Sequence, residues 1–256
     1  MTATNQQFKV IQVSDNVAAG KVAADLFINL VKNKPNAVLG LATGSSPVNM
    51  YQAMIKDHQE NGTNYAEVQS FNLDEYIGLS SDQDQSYACF MRNNLFEQIN
   101  IQLENTHIPN GMAKDPEIEC QDYDRAIDAA GGVDLQVLGI GSNGHIAFNE
   151  PGTHFSCPTH TVELAEQTRK DNARFFESID KVPTHAITSG IATIMKSKQI
   201  VLIATGERKA TALKALLEGK ITENVPATVL KNHPNLTIIA DKQALSKLEF
   251  YPNKFI

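Results

Sequence analysis

The sequence has little of what marks a secreted, membrane-bound or nucleic-acid-binding chain. It holds three cysteines, Cys89, Cys120 and Cys157, with no C-x-x-C pair among them, so no disulfide framework is written into it. The opening MTATNQQFKV has none of the apolar core of a signal peptide, and the two absences together point to a reduced, cytoplasmic protein. Apolar runs such as that at 200–204 fall far short of the roughly 20 residues that a membrane span needs. There is no run of Lys or Arg, and the net charge is −7. Nucleic acid is therefore not an expected partner. A small molecule is, and it can be anionic, because a few placed cations and helix N-termini suffice to hold it. Linkers of low complexity and internal repeats are missing too. With 42% hydrophobic residues the chain can bury a sizeable core, and residues 1–256 read as one domain.

What is present is a rhythm. Short apolar runs at 8–13, 37–42, 68–73, 133–140, 199–204 and 236–241 alternate with helical patterns. Helices are expected over 15–32, where Val17, Val22, Leu26 and Leu30 share one face, from 47 onward, and near 87–99, 116–130, 166–179, 191–196 and 207–218. Strands separated by helices pair in parallel through right-handed crossovers, and strands this apolar need cover on both faces. The expected fold is an α/β, Rossmann-like, single doubly wound and mostly parallel sheet with helices on both faces. Ligands of such sheets sit beyond the C-terminal strand ends, which directs the reading to TGSSP, DEY, GSNGHIAFNEP and TGERK.

GIGSNG, with glycines at 139, 141 and 144, satisfies the G-x-G-x-x-G pattern of a dinucleotide turn. That turn must open a helix, yet Asn149, Glu150, Pro151 and Gly152 break any helix before its second turn. No strand ending in an acidic residue follows at the required distance either. The glycines instead suit a non-helical loop that approaches a ligand closely. TGSSP, with Ser46 as an expected N-cap and Pro47 at the first helical position, converges backbone amides beyond the sheet. It reads equally as a phosphate cradle or an ordinary capped turn. The Walker lysine is missing, so a nucleoside triphosphate is not the expected ligand.

Asp74 stands just past a strand at the ligand-facing edge, where it serves either as a base or as a solvated carboxylate. His145 and Glu150 share one tight loop, and a carboxylate that fixes the tautomer of an imidazole makes a proton-transfer group near neutral pH. His154, Cys157 and His160 form an H-x-x-C-x-x-H spacing that fits no usual zinc site and lacks a fourth ligand, so no metal is expected. Arg174 and Lys209 lie near helix beginnings, where positive charge is disfavoured unless it serves an anion.

The ordered set GLATGSSP, FNLDEYIGL, SYACFMRNNLF, GIGSNGHIAFNEPG, NARFF, VPTHAITSGIATIMKSK and TGERKATALKALLEG strongly resembles the glucosamine-6-phosphate deaminases. The resemblance implies an isomerising deaminase acting on a sugar phosphate, with no metal or organic cofactor. Thr43, Gly44, Ser45 and Ser46 would cradle the phosphate, helped by Arg174 and Lys209. His145 would open the pyranose ring, Glu150 and Asn143 would orient and tune it, and Asp74 would move a proton between C2 and C1. Two departures stand out. Many family members carry Asp at the position of Asn143, and an amide adds no negative charge to stabilise the imidazolium. Activation by N-acetylglucosamine 6-phosphate uses basic residues after the NEP turn, whereas GTHFSCPTHTVEL offers no Lys or Arg and only histidines, so allosteric activation is not expected. A 6-phosphogluconolactonase on the same scaffold would not need Asp74, and a sugar-phosphate sensor would lack the acid/base groups. Assembly into a homo-oligomer is left open.

Overall fold

The computed structural model describes residues 8–173 and 176–249. Its centre is a seven-stranded parallel sheet in the order β1 (Phe8–Val13), β10 (Leu236–Asp241), β9 (Ile200–Ala204), β6 (Leu135–Gly139), β2 (Val38–Leu41), β3 (Gln69–Asn72) and β5 (Thr106–His107). Alternation along β2 separates the two faces of this sheet. Leu39 and Leu41 join the core that holds α1 (Asn16–Asn33) and α2 (Val48–Asn61), whereas Val38 packs with Tyr123 and Ile127 of α4 (Pro116–Ala129). The expected doubly wound sheet, covered on both faces, is what these contacts build. α1 starts where Asp15 accepts the Ala18 N–H at 2.9 Å, which satisfies one of the amides a helix start leaves unpaired.

The strand order also fixes where the site lies. From β2 the chain builds outward through β3 and β5, then returns to β6 and builds the other way through β9 and β10. The loops after β2 and β6 therefore emerge side by side at the reversal, where a crevice opens beyond the strand ends.

A second sheet was not anticipated from the sequence. β4 (Asp74–Tyr76), β8 (His185–Thr188) and β7 (His160–Glu163) pair antiparallel, with Asp74 opposite Thr188 and Thr188 opposite His160. Only Leu73 separates β3 from β4. The Ser189 N–H donates to the Leu73 carbonyl at 2.6 Å, so the chain leaves one sheet and enters the other within a single residue. α3 (Tyr87–Asn94), α5 (Glu166–Asn172), α6 (Ile191–Met195) and α7 (Ala210–Glu218) are the other α-helices among the described residues.

Two local expectations need correction. α2 begins at Val48 with Pro47 in the cap position, and Ser46 makes no capping bond; the fixed φ of Pro47 starts this helix in place of a side-chain oxygen. The helix expected over 166–179 ends at Asn172. Among the described residues no helix is long and apolar enough to cross a membrane.

Candidate active site

Asp74 comes first in the chain, and its placement follows from the sheet change. The chain leaves β3 at Leu73 and opens β4 with Asp74, which is 7% exposed. Burial and the adjacent Glu75 push its carboxyl up to about 8. Glu75, on the opposite face of β4, serves differently. Its carboxylate accepts the Tyr76, Tyr87 and Ala88 N–H groups at 2.8–2.9 Å and thereby seats the first turn of α3. A cavity of about 470 Å³ lies on this side of β4, walled by Glu75, Arg92, Phe96 and Met112; Asp74, His145, Glu150 and the TGSSP residues do not line it.

The loop after β6 carries the second group. It is non-helical, as its Pro and Gly content requires, and its glycines serve the imidazole. A Cβ on Gly141 would lie 2.4–2.5 Å from the His145 ring, and Gly144 has φ +87° with Val225 pressed against it. The ring lies flat over bare backbone, a position only glycine leaves open. His145 Nδ1 approaches Glu150 Oε1 at 3.2 Å, close but out of hydrogen-bond alignment. Glu150 also accepts from Asn143 Nδ2 at 2.7 Å and from the Thr168 hydroxyl at 2.8 Å. Burial works to raise the Glu150 carboxyl, but His145, Thr168 and Asn143 outweigh it and hold the group at about 2.

The family resemblance implies that Asn143 acts on the ring, and here the geometry differs. Its Oδ1 accepts the His145 backbone N–H at 3.1 Å while its amide donates to Glu150. The side chain braces the loop and the carboxylate, and reaches the imidazole only through Glu150.

TGSSP lies beside this loop. A Cβ on Gly139 would stand 3.3 Å from Ser46 Oγ, which brings the turn after β2 against the end of β6. Gly44 has φ +89° with open space beside it; Ser45 is exposed, and Thr43 and Ser46 are half-buried. Lys209 ends the 3-10 turn that follows β9 and is half-buried. Arg174 falls outside the described residues. The H-x-x-C-x-x-H residues do not converge: His154 pairs with Glu223 at 3.2 Å, while Cys157 and His160 contact each other at 3.4 Å.

The pattern of the family described as glucosamine-6-phosphate isomerases/6-phosphogluconolactonase matches residues 15–239. The chain belongs to this family. A glucosamine-6-phosphate deaminase of Geobacillus sp. (strain WCH70) is 54% identical over 238 residues, 93% of this chain and 95% of that protein. One of Clostridioides difficile (strain 630) is 50% identical over 94% and 96% of the two chains. A solved structure of a monomeric glucosamine-6-phosphate deaminase superposes with TM-score 0.91 at 46% identity, covering 93% of this chain and 99% of that one. A 6-phosphogluconolactonase from Trypanosoma cruzi has TM-score 0.79 at 17% identity, a likeness of fold alone.

In this glucosamine-6-phosphate isomerase family member, several residues that assemble the site had no assigned role from sequence. Tyr87 shares a hydrogen bond with the Thr43 side chain and sits within electrostatic reach of Asp74, so it joins the turn after β2 to β4. Its ring lies parallel to Phe148 of the His145 loop, with centroids 6.1 Å apart. Thr188 accepts the Phe148 N–H at 3.1 Å, and Asn149 donates to the Ser189 carbonyl at 2.9 Å. The end of β8 thus ties the loop of His145 to the strand of Asp74. SYACF and VPTHAITSG held these residues in view, but only the fold brings them together.

Proposed function

We propose that this chain converts glucosamine 6-phosphate and water to fructose 6-phosphate and ammonia. The observation that carries the reading is a pair of carboxyls at one crevice driven in opposite directions: Glu150 down to about 2 beside His145, Asp74 up to about 8. Groups pushed apart in this way take different protonation roles.

The phosphate is held by Thr43, Gly44, Ser45 and Ser46, with Arg174 and Lys209 supplying charge. His145 moves a proton from the anomeric hydroxyl to the ring oxygen, and Glu150, braced by Asn143, stays ionised to support the imidazolium that forms in between. In the open chain the aldehyde and the ammonium acidify the hydrogen on C2. The ammonium brings a positive charge beside Asp74 and favours its carboxylate. Asp74 takes the C2 proton and delivers it to C1, while the ammonium gives up one proton and the aldehyde oxygen gains one, which leaves a hydroxymethyl group at C1 and an iminium at C2. Water adds there and ammonia departs, so the C–N bond is broken hydrolytically. The residues require no metal or cofactor for these steps. A lactonase would have no use for a proton acceptor at C2, and a sensor would have no use for either carboxyl.

We extend three further expectations to this chain. One copy is enough for turnover, a reading that the 46% identical structure, of a monomeric deaminase, supports. The segment 152–164 has no Lys or Arg, which favours a hyperbolic rate curve with no activation by N-acetylglucosamine 6-phosphate. The protein works in the cytoplasm.

The test supplies glucosamine 6-phosphate and measures ammonia release coupled to fructose 6-phosphate formation. Stoichiometric appearance of both is expected. Turnover of phosphogluconolactone without ammonia release from the amino sugar would overturn the reading.

A further inference from the structure

Resting on the deaminase reading, we infer that Thr168 is a positioning residue for ring opening, acting through Glu150. Among the described residues Glu150 accepts two side-chain hydrogen bonds and is approached by His145, and of these three partners Thr168 is the one from outside its own loop. Asn143 and His145 sit with Glu150 on the turn after β6, whereas Thr168 sits on α5, beyond the small sheet. Its hydroxyl donates to Oε1 at 2.8 Å, the same oxygen that His145 Nδ1 approaches at 3.2 Å.

A carboxylate oxygen has lone pairs for both partners. With Asn143 holding Oε2 and Thr168 holding Oε1, the plane of the carboxylate is fixed, and the imidazole meets it in one orientation. Without the hydroxyl, Oε1 has His145 alone, and rotation about the terminal bond is restrained from one side only.

α5 is built to hold Thr168 still. Leu164, just before the helix, is buried and its N–H donates to the Thr184 carbonyl at 2.8 Å. The Arg169 guanidinium donates to the Ile179 and Val182 carbonyls at 3.1 and 3.2 Å. Thr168 is therefore presented from a segment anchored on both sides, and a hydroxyl so presented adds little entropic cost when it bonds. The chemical consequence is confined to the step that uses the imidazole. The C2-to-C1 transfer belongs to Asp74, on the other sheet, and does not pass through Glu150.

That separation supplies the test. Thr168→Val, Thr168→Ser and wild type are compared in full-length protein for kcat, KM and the kinetic isotope effect with substrate deuterated at C2. Thr168→Val frees the carboxylate, and with it the imidazole, to leave the productive geometry, so kcat is expected to fall about tenfold or more. KM stays near wild type, and the C2 deuterium effect falls toward one as ring opening becomes limiting. Thr168→Ser restores both rate and isotope effect. A wild-type rate in Thr168→Val, a lowered rate with an unchanged isotope effect, or failure of Ser to rescue a folded protein would overturn the inference. Wild type is measured first: absence of ammonia release there overturns the deaminase reading itself, whereas active wild type matched by Thr168→Val overturns only the role of Thr168.

Discussion

Asp134 and Asp74 are both buried aspartates next to strands of the same fold, 5% and 7% exposed, at opposite ends of the molecule. Asp134, just before β6, is surrounded by partners: Lys34 and Lys198 at 2.7 Å each and the Val38 N–H at 2.8 Å. Burial works against its charge, but these partners prevail and hold the carboxyl below its ordinary value. Asp74 meets burial and a second carboxylate, and its carboxyl rises to about 8. One end of the sheet thus uses an aspartate to fasten strands and neighbouring lysines. At the other end an aspartate carboxyl has no hydrogen-bond or ion-pair partner among the described residues, which costs stability and keeps a proton acceptor poised for a cationic substrate.

The contrast breaks first at Asp74. Asp74→Asn is expected to cut kcat about a thousandfold while substrate still binds, as loss of a proton-transfer group does. Its folded pKa is raised, so the stability its neutral form contributes is complete below the ordinary carboxylate range and is lost as pH rises through about 8. Asp74→Asn should therefore melt higher than wild type at pH 8 and match it near pH 3, which thermal unfolding at the two pH values would check.

Asp134→Ala should do the reverse. Activity per folded molecule stays at wild type, while the Val38 N–H loses its buried acceptor at a cost of about 1–3 kcal/mol. Because the folded pKa of Asp134 is depressed, its contribution is present above the ordinary carboxylate value and lost as pH falls below it. Denaturant unfolding at neutral and acidic pH reads this directly. A loss of kcat in Asp134→Ala as large as that in Asp74→Asn would erase the distinction.

Asn143→Asp sharpens the comparison with a smaller effect. Its carboxylate would stand where the amide now donates to Glu150 at 2.7 Å, so the variant removes a donor and adds a like charge. The proton affinity of Glu150 rises, and the acidic limb of the pH–rate profile moves upward with a several-fold loss below neutral pH. An unmoved limb would mean that residue 143 does not act on Glu150.

The parts of this account that were legible in the sequence have a common property. β1, β2, β3, β6, β9 and β10 are apolar runs bounded by helical patterns, and their order implied the parallel sheet and the edge at which Asp74, His145 and the TGSSP turn meet. His145 and Glu150 lie in one short loop, so local spacing was enough to suggest their contact. β4, β7 and β8 escaped notice because DEY, HTVE and HAIT are too short and mixed in polarity to show a period; they exist through long-range pairing. The same reason hid Tyr87, Thr168 and Thr188, each of which acts across elements far apart in the chain. At Asn143 the sequence pointed to the right neighbourhood but not to the partner, since a side chain between glycines can turn toward the ring or toward the carboxylate. Ser46 followed capping preference, and the proline after it took the cap instead.

The most direct test of the central claim is a titration of the Asp74 carboxyl, observed by carboxylate and carboxylic-acid infrared bands in wild type minus Asp74→Asn. The account expects the acid band to persist through neutral pH and to vanish with a midpoint near 8, dropping when glucosamine 6-phosphate binds. A carboxylate already formed at pH 5 in the free protein would contradict it.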